Sequence, residues 1–226
     1  MRKILILLVF MLFALPCNAT LSEENAIQSR IDSVGVKLLN KNKIQKRIVF
    51  TYDEKTKKNI LSTDKALTKR QIIIYDGLYQ SVQTDDELAA MLARQIAIAV
   101  KSYRGVWGGW IDSAQVALSS KKFEVVADKR AVDYMVKAGY NPLALLVFIN
   151  KTCPQKRSDF IGRHNLTSKR LAKIYEYITY KYPQYLSNNE YIENEYYQNF
   201  LLNSVENRSK LEEKIETNST KDIKYE

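Results

Sequence analysis

The fold of this chain is built on one segment, residues 84–100, which reads TDDELAAMLARQIAIAV. Thr84 and, three residues later, Glu87 form a capping box, the pattern in which two side chains satisfy backbone N–H groups at the start of a helix. Apolar residues then recur at helical spacing to the end of the segment. The segment therefore predicts a largely buried helix that carries Arg94 and Gln95 in its middle.

Two strands and several further helices are predicted around this segment. Residues 47–52 and 71–75 are rich in β-branched and aromatic side chains, which favours strands. Capping residues, Gly and Pro mark the other helices, predicted from Ser22 onward and over residues 122–138, 143–151 and 167–182. The pattern predicts the α+β class, mostly helical with a small β-sheet.

Residues 1–19 predict a cleaved signal peptide. A basic start precedes an apolar run, residues 4–15, that is too short to span a bilayer, and small residues follow at the cleavage position. We therefore expect an exported protein, periplasmic or secreted, that begins at Thr20 after cleavage. A lipoprotein modified at Cys17 is the alternative, although the preceding Pro16 fits a lipidation motif poorly.

The rest of the chain divides into a basic body and an acidic tail. Residues 20–183 predict one domain, and residues 184–226 predict a polar tail rich in Tyr, Asn and Glu, partly helical with a disordered end. Residues 20–185 hold 28 basic and 16 acidic side chains, a net charge of +12. This charge is compatible with peripheral contact to an anionic membrane surface or with an acidic partner, but a generic solvated, lysine-rich surface is the favoured interpretation. The lysines are scattered behind an export signal, so we expect no nucleic-acid partner.

A second motif, Glu124-Val-Val-Ala-Asp128, follows the central helix. The chain also places Asn-Ile-Leu at 59–61 between the strands, Ala-Gly-Tyr-Asn-Pro at 138–142, and a His before a Thr/Ser-capped helix that carries an Arg. This order resembles the heat-shock protease and prenyl-protein protease class of zinc metallopeptidases, and it is most similar to their exported, β-barrel assembly-enhancing members. The resemblance covers about residues 22–182 and implies a zincin-like metallopeptidase domain.

In that class, two histidines one helical turn apart bind zinc, the glutamate between them is the general base, and a glutamate of the second helix is the third ligand. The resemblance places Arg94 and Ile98 at the two histidines, Gln95 at the base and Glu124 at the third ligand. The motif His-Glu-x-x-His is therefore replaced by Arg-Gln-Ile-Ala-Ile.

The resemblance assigns two more residues to the cleft. Asp128 matches a carboxylate that steadies the first histidine, and His164 matches a loop histidine near the metal. Each has an alternative. Helical periodicity alone makes Glu124 and Asp128 ordinary surface charges, because Phe123 and Ala127 mark the buried side. His164 fits equally well as a simple loop residue.

The replacements predict that catalysis is lost. A guanidinium is always protonated and has no lone pair for a metal, so Arg94 would repel zinc. Gln95 accepts no proton at neutral pH, and Ile98 offers only a hydrocarbon. We expect no catalytic residue, no metal site and no cofactor. We expect instead that Arg94 forms an ion-pair network with Glu124 and Asp128, a fixed cation in the place of the metal.

The combined reading is an exported pseudopeptidase that binds polypeptide clients in the cell envelope. The strand at 71–75 would receive an extended client by edge pairing, which requires no metal. One alternative is an active zinc metalloendopeptidase with an atypical metal centre. A second alternative is an interaction module that acts through the basic body or the tail.

Overall fold

The computed structural model describes residues 23–55, 71–102, 120–153 and 167–226. The signal segment, the Asn-Ile-Leu motif and His164 lie outside these residues. The described part is mostly helical with a small sheet, which confirms the predicted α+β class.

The elements lie close to their predicted positions. In chain order they are α1, helical over 23–41, β1 (Val49–Asp53), β2 (Gln71–Tyr75), α2 (Asp76–Tyr79), α3 (Asp85–Ser102), α4 (Ser120–Lys137), α5 (Leu143–Thr152), α6 (Thr167–Lys181), α7 (Gln184–Ser187), α8 (Glu195–Asn203) and α9 (Val205–Glu216). In the described ranges, no helix is long and apolar enough to cross a bilayer.

The sheet pairs β1 and β2 in parallel, with Thr51 opposite Ile73. The outer edge of β1 is covered by the side chain of Gln28 on α1. Gln28 Nε2 donates to the carbonyl of Phe50 at 3.2 Å, and the N–H of Tyr52 donates to Gln28 Oε1 at 2.8 Å. A single amide side chain thus makes the bonds that a further strand would otherwise make at this edge.

Helix α3 lies in the centre of the core. Its predicted N-terminus is present, since the N–H of Glu87 donates to the side chain of the capping residue, Thr84 Oγ1, at 3.2 Å. The carboxylate of Glu87 accepts at 3.0 Å from the N–H of Gln83, one residue before the cap, and not from that of Thr84. Residues 88–99 are all buried because α3 packs against both α4 and α5. Polar side chains in the middle of this helix are therefore removed from water and require partners inside the protein.

Helices α4 and α5 are joined by a tight turn at Gly139. Gly139 has φ +74°, the left-handed conformation that commonly ends a helix, as its sequence position predicted. The N–H of Tyr140 then returns to the carbonyl of Met135 at 2.9 Å. The turn leads into α5, whose residues 143–149 are all buried. This apolar helix packs against α3 and also against α6 and α8.

The region predicted as a tail shares the core of the body. Tyr191, Tyr197 and Phe200 are buried in the same apolar cluster as α3 and α5. The boundary predicted at residues 183/184 therefore does not separate two cores. The burial of these aromatic rings stabilises the segment despite its high charge, and its helices agree with the prediction of a partly helical tail.

The end of the chain also has contacts where disorder was predicted. Tyr225 is buried at 5% exposure. Asn207 on α9 pairs twice with Glu226, donating from Nδ2 to its carbonyl at 3.0 Å and accepting from its N–H at 3.1 Å. Residues 217–224, by contrast, are mostly exposed, which agrees with their polar sequence.

Candidate functional site

A buried carboxylate, Asp128, holds two arginines at the junction of α3, α4 and α6. Arg94 Nε donates to Asp128 Oδ1 at 3.0 Å. Arg170 donates twice, from Nε to Oδ2 and from a terminal nitrogen to Oδ1, both at 3.0 Å. Arg94, Asp128 and Arg170 are 5%, 1% and 6% exposed. We call these three residues the arginine cluster.

Each member reaches the cluster because of its place on a helix. Arg94 lies in the middle of α3, Asp128 lies one turn after Glu124 on α4, and Arg170 lies in the first turn of α6. Helix α4 packs against both other helices, so its carboxylate can meet a guanidinium from each side. The bidentate geometry of Arg170 matches the two oxygens of a carboxylate, a strong form of ion pair.

Within the arginine cluster, the opposite charges shift the pKa values of Asp128 and Arg170. Burial acts to raise the pKa of Asp128, but the charges and hydrogen bonds of Arg170 and Arg94 outweigh it, so this pKa lies below its ordinary value. Burial acts to lower the pKa of Arg170, and the Asp128 carboxylate reverses the effect and raises it, with a further contribution from Glu124. Asp128 therefore pairs with two cations, and the carboxylate of Glu124, which is 8% exposed, acts on Arg170 as well.

The structure brings together most of the residues expected in the cleft. Of the predicted network, the pair of Arg94 and Asp128 is present, and the pair of Arg94 and Glu124 stays a prediction. The alternative that Glu124 and Asp128 are surface charges is wrong, because both are buried. Arg170 is the residue that sequence analysis missed. An arginine on this helix was noted, but no local pattern shows that it meets a residue 42 positions earlier.

A small apolar group lies on α3 and α4, next in sequence to members of the arginine cluster. Ile98, one turn after Arg94, packs with Ala97, Phe123 and Ala127 in a separate small apolar group. Ile98 is 3% exposed. The position assigned to a second histidine is therefore part of a dry contact between α3 and α4.

The donor set does not fit a metal ion. Both oxygens of Asp128 already accept hydrogen bonds from arginine, and the guanidinium of Arg94 carries a positive charge and no lone pair. Zinc sites in proteins use Cys, His, Asp or Glu, usually four ligands in a tetrahedron. Across the described ranges, no group of three such residues could hold a metal ion. The residues present therefore favour a charge cluster over a metal centre.

Gln95 next to Arg94 presents an unusual amide. The residue is 3% exposed, and neither Oε1 nor Nε2 has a hydrogen-bond partner in the part of the chain that the structure describes. An unpaired buried polar group costs about 1–3 kcal/mol. Gln95 stands where the resemblance places the general base, and an amide accepts no proton at neutral pH.

We expect Gln95→Met to raise the free energy of unfolding by about 1–3 kcal/mol, because a thioether of similar length fills the same space without an unpaired polar atom. Urea unfolding followed by circular dichroism measures the change. The matched control is Gln184→Met on the exposed first turn of α7, which should leave stability unchanged. Loss of stability in Gln95→Met would contradict the assignment of Gln95 as an unpaired group.

We found no match to this chain among protein-family models, curated proteins or solved structures. The proposed function therefore rests on the geometry of the chain's own residues and on the resemblance of its motifs.

Proposed function

We propose that this chain is an exported pseudopeptidase with a zincin-like domain, which binds extended polypeptide segments in the cell envelope and does not cleave them. The observation that carries the proposal is an edge of β2 that no described strand covers. Polypeptides bind such edges by adding a strand, and the backbone bonds require neither a metal nor a base. The resemblance to exported metallopeptidases suggests unfolded or assembling envelope proteins as clients.

The geometry of the sheet identifies the backbone groups that would bind a client. In a parallel pair, residues point their N–H and C=O alternately toward and away from the partner strand. The bonds of Gln28 mark Phe50 and Tyr52 as pointing away from β2, so Thr51 points toward it. Ile73 lies opposite Thr51 and therefore points its N–H and C=O to the far edge. No described residue bonds to these two groups.

The surroundings of this edge support a binding role. Ile72 and Ile74 are buried, at 2% and 1% exposure, so they fix β2 on the core while Ile73 stays half-exposed. A rigid strand loses little entropy when a client pairs with it. The basic body adds attraction for acidic clients and for anionic membrane surfaces.

The proposed lack of hydrolysis rests on the arginine cluster. A zinc peptidase activates water between a metal and a general base. Here the corresponding helix carries a cation at Arg94 and a neutral amide at Gln95, and Asp128 is occupied by Arg94 and Arg170. The cluster holds α3, α4 and α6 together by ion pairs, which is the structural role that a metal would otherwise fill.

Ile73→Pro is the direct test of edge pairing. Proline removes the outward N–H of residue 73 and is tolerated at a strand edge, so the sheet should remain folded. Anisotropy of fluorescently labelled, unfolded casein measures binding to the mature protein. We expect about tenfold weaker binding or more, since one lost backbone bond is worth about 1 kcal/mol and the ring also blocks approach. Ile73→Val keeps the N–H and should bind as the unchanged protein does.

The same assay separates edge binding from an active metalloendopeptidase. Equal binding by Ile73→Pro and Ile73→Val, with unchanged melting temperatures, would rule out the edge as the client site. Fragmentation of the casein that a chelator abolishes, with zinc bound near one ion per chain, would establish the active metalloendopeptidase instead. Deletion of residues 186–226 is a poor test of a tail-based interaction, because Tyr191, Tyr197 and Phe200 belong to the core.

A further inference from the structure

A short segment after α9 folds back onto this helix. The fold-back begins at Asn218, whose φ of +49° is the left-handed conformation that commonly ends a helix. The N–H of Ser219 donates to the carbonyl of Lys214 at 3.0 Å, which closes the turn. The chain then runs back along α9, because Glu226 bonds to Asn207 near the start of the helix.

The amide of Asn207 holds the backbone of Glu226. Its Nδ2 donates to the carbonyl of Glu226 at 3.0 Å, and its Oδ1 accepts from the N–H of the same residue at 3.1 Å. Asn207 is 6% exposed, so its amide is fixed within the protein. An amide that bonds to both main-chain groups of one residue recognises an extended backbone and not a particular side chain. The contact therefore suits the backbone of other polypeptides as well.

Charged and aromatic contacts add selectivity to this backbone contact. Lys210 Nζ pairs with Glu226 Oε1 at 3.0 Å. Tyr225 is 5% exposed, and its burial together with the negative charge of Glu176 on α6 raises the pKa of its hydroxyl. Glu176 in turn pairs with Lys214 Nζ at 3.0 Å. The position therefore fits an aromatic residue that is followed by an acidic one.

The segment is held mainly through its residues 225 and 226. Residues 220–224 form no hydrogen bond with any helix that the structure describes, and four of these five residues are exposed. Tyr225 lies outside the apolar cluster that forms the core. Detachment of the segment would therefore leave the core of the described helices intact.

The same surface offers a contact that the segment leaves largely unused. The ring of Tyr180 on α6 lies 5.7 Å from Lys214 Nζ, and its hydroxyl also acts on the pKa of Tyr225. Tyr180 is nevertheless 54% exposed. A partner segment with an additional apolar residue would cover this ring and gain a contact that the chain's own segment lacks.

We propose that α6 and α9 form a second peptide-binding surface, which residues 225 and 226 of the same chain occupy and keep closed. We call it the α6–α9 surface, and it consists of Glu176, Tyr180, Asn207 and Lys210. Its partner is a polypeptide segment in which an aromatic residue precedes an acidic one, with a further apolar residue for Tyr180. The tethered segment competes at an effective concentration in the millimolar range, so only such a partner displaces it. This surface does not depend on the proposed binding at the edge of β2.

Tyr225→Ser tests the proposal, because it vacates the α6–α9 surface and leaves the core unchanged. The probe is a fluorescein-labelled peptide with the sequence of residues 219–226, and anisotropy measures its binding to the mature protein. A segment that is docked about nine-tenths of the time at a few millimolar effective concentration has a dissociation constant of about 0.1–0.5 mM. We expect Tyr225→Ser to bind the peptide in this range or more tightly, and at least about tenfold more tightly than the unchanged protein.

A second substitution in the Tyr225→Ser protein tests the backbone contact. Asn207→Ala removes both bonds to the peptide and should weaken its binding at least about tenfold. Alanine favours helices, so α9 should remain folded, which circular dichroism verifies. Asn188→Ala is the matched control, since Asn188 is exposed and lies outside the α6–α9 surface. It should leave binding of the peptide unchanged.

Three results of the peptide assay would overturn the proposal. They are no binding to Tyr225→Ser at about 1 mM peptide, equal binding to Tyr225→Ser and the unchanged protein, and unchanged binding after Asn207→Ala. Light scattering tests whether the segment instead binds a second copy of the chain. A dimer of the unchanged protein that Tyr225→Ser dissociates would overturn the assignment of the segment to its own chain.

Discussion

Asp128→Asn should lower the free energy of unfolding by about 3–5 kcal/mol, the usual loss when a buried ion pair loses one partner. The substitution keeps the size of the side chain but leaves Arg94 and Arg170 buried without their shared carboxylate. Urea unfolding followed by circular dichroism measures the loss. Asp85→Asn is the matched control, since Asp85 accepts from Arg30 Nε at 2.8 Å with a side chain that is 61% exposed. That change should lower stability by about 1 kcal/mol or less.

The same variant has a characteristic dependence on pH. The pKa of Asp128 is lower in the folded protein than in the unfolded chain, where it is about 3.9. The ionised carboxylate therefore stabilises the fold at pH values above about 3.9. This stabilisation is lost as the pH falls from about 3.9 through the pKa of the folded state. The difference between the unchanged protein and Asp128→Asn should therefore be largest near neutral pH and shrink below about pH 4. A difference that stays constant down to pH 2 would show that the carboxylate charge is not the stabilising element.

The two arginines should differ in their effect on stability. Arg170→Met removes the bidentate partner of Asp128 and should lower the free energy of unfolding by about 3–5 kcal/mol. Arg94→Met removes one bond and leaves the bidentate pair, so we expect a smaller loss of about 1–3 kcal/mol. Methionine keeps the aliphatic volume of arginine, which limits the effect of an empty space.

The losses of stability are ranked by measuring melting temperatures and urea midpoints of Arg170→Met, Arg94→Met and the double variant. The loss in the double variant should differ from the sum of the single losses, because both arginines act on the same carboxylate. An unchanged melting temperature in Arg94→Met would refute the idea that Arg94 replaces a stabilising metal. An equal or larger loss in Arg94→Met than in Arg170→Met would contradict the order assigned from the hydrogen bonds.

The local elements could be predicted from sequence because their signals are local. The N-cap at Thr84 and the glycine at 139 each act within a few residues, and the structure confirms both. The parallel pairing of the strands could not be predicted in this way, because strand composition carries no information on direction. The burial of Tyr197 was missed for a related reason, since its contacts come from helices distant in sequence.

The candidate site was predicted in part. Helical periodicity places Asp128 on the solvent-exposed face of α4, because the pattern counts only apolar residues as buried. In the structure Asp128 is 1% exposed, whereas the apolar Val126 is 37% exposed. Only the family resemblance placed Arg94 next to Asp128. The role of Arg170 required the structure, because a paired buried charge has no sequence signal unless its partner is known.

The amide of Gln28 has a consequence for self-association. Sheets with two accessible borders can add copies at both sides and grow into fibres. In the described sheet, Gln28 already bonds to the border of β1, so a strand can join only beside β2. Pairing of two copies beside β2 would therefore end at a dimer, because the other border of each sheet already bonds to Gln28.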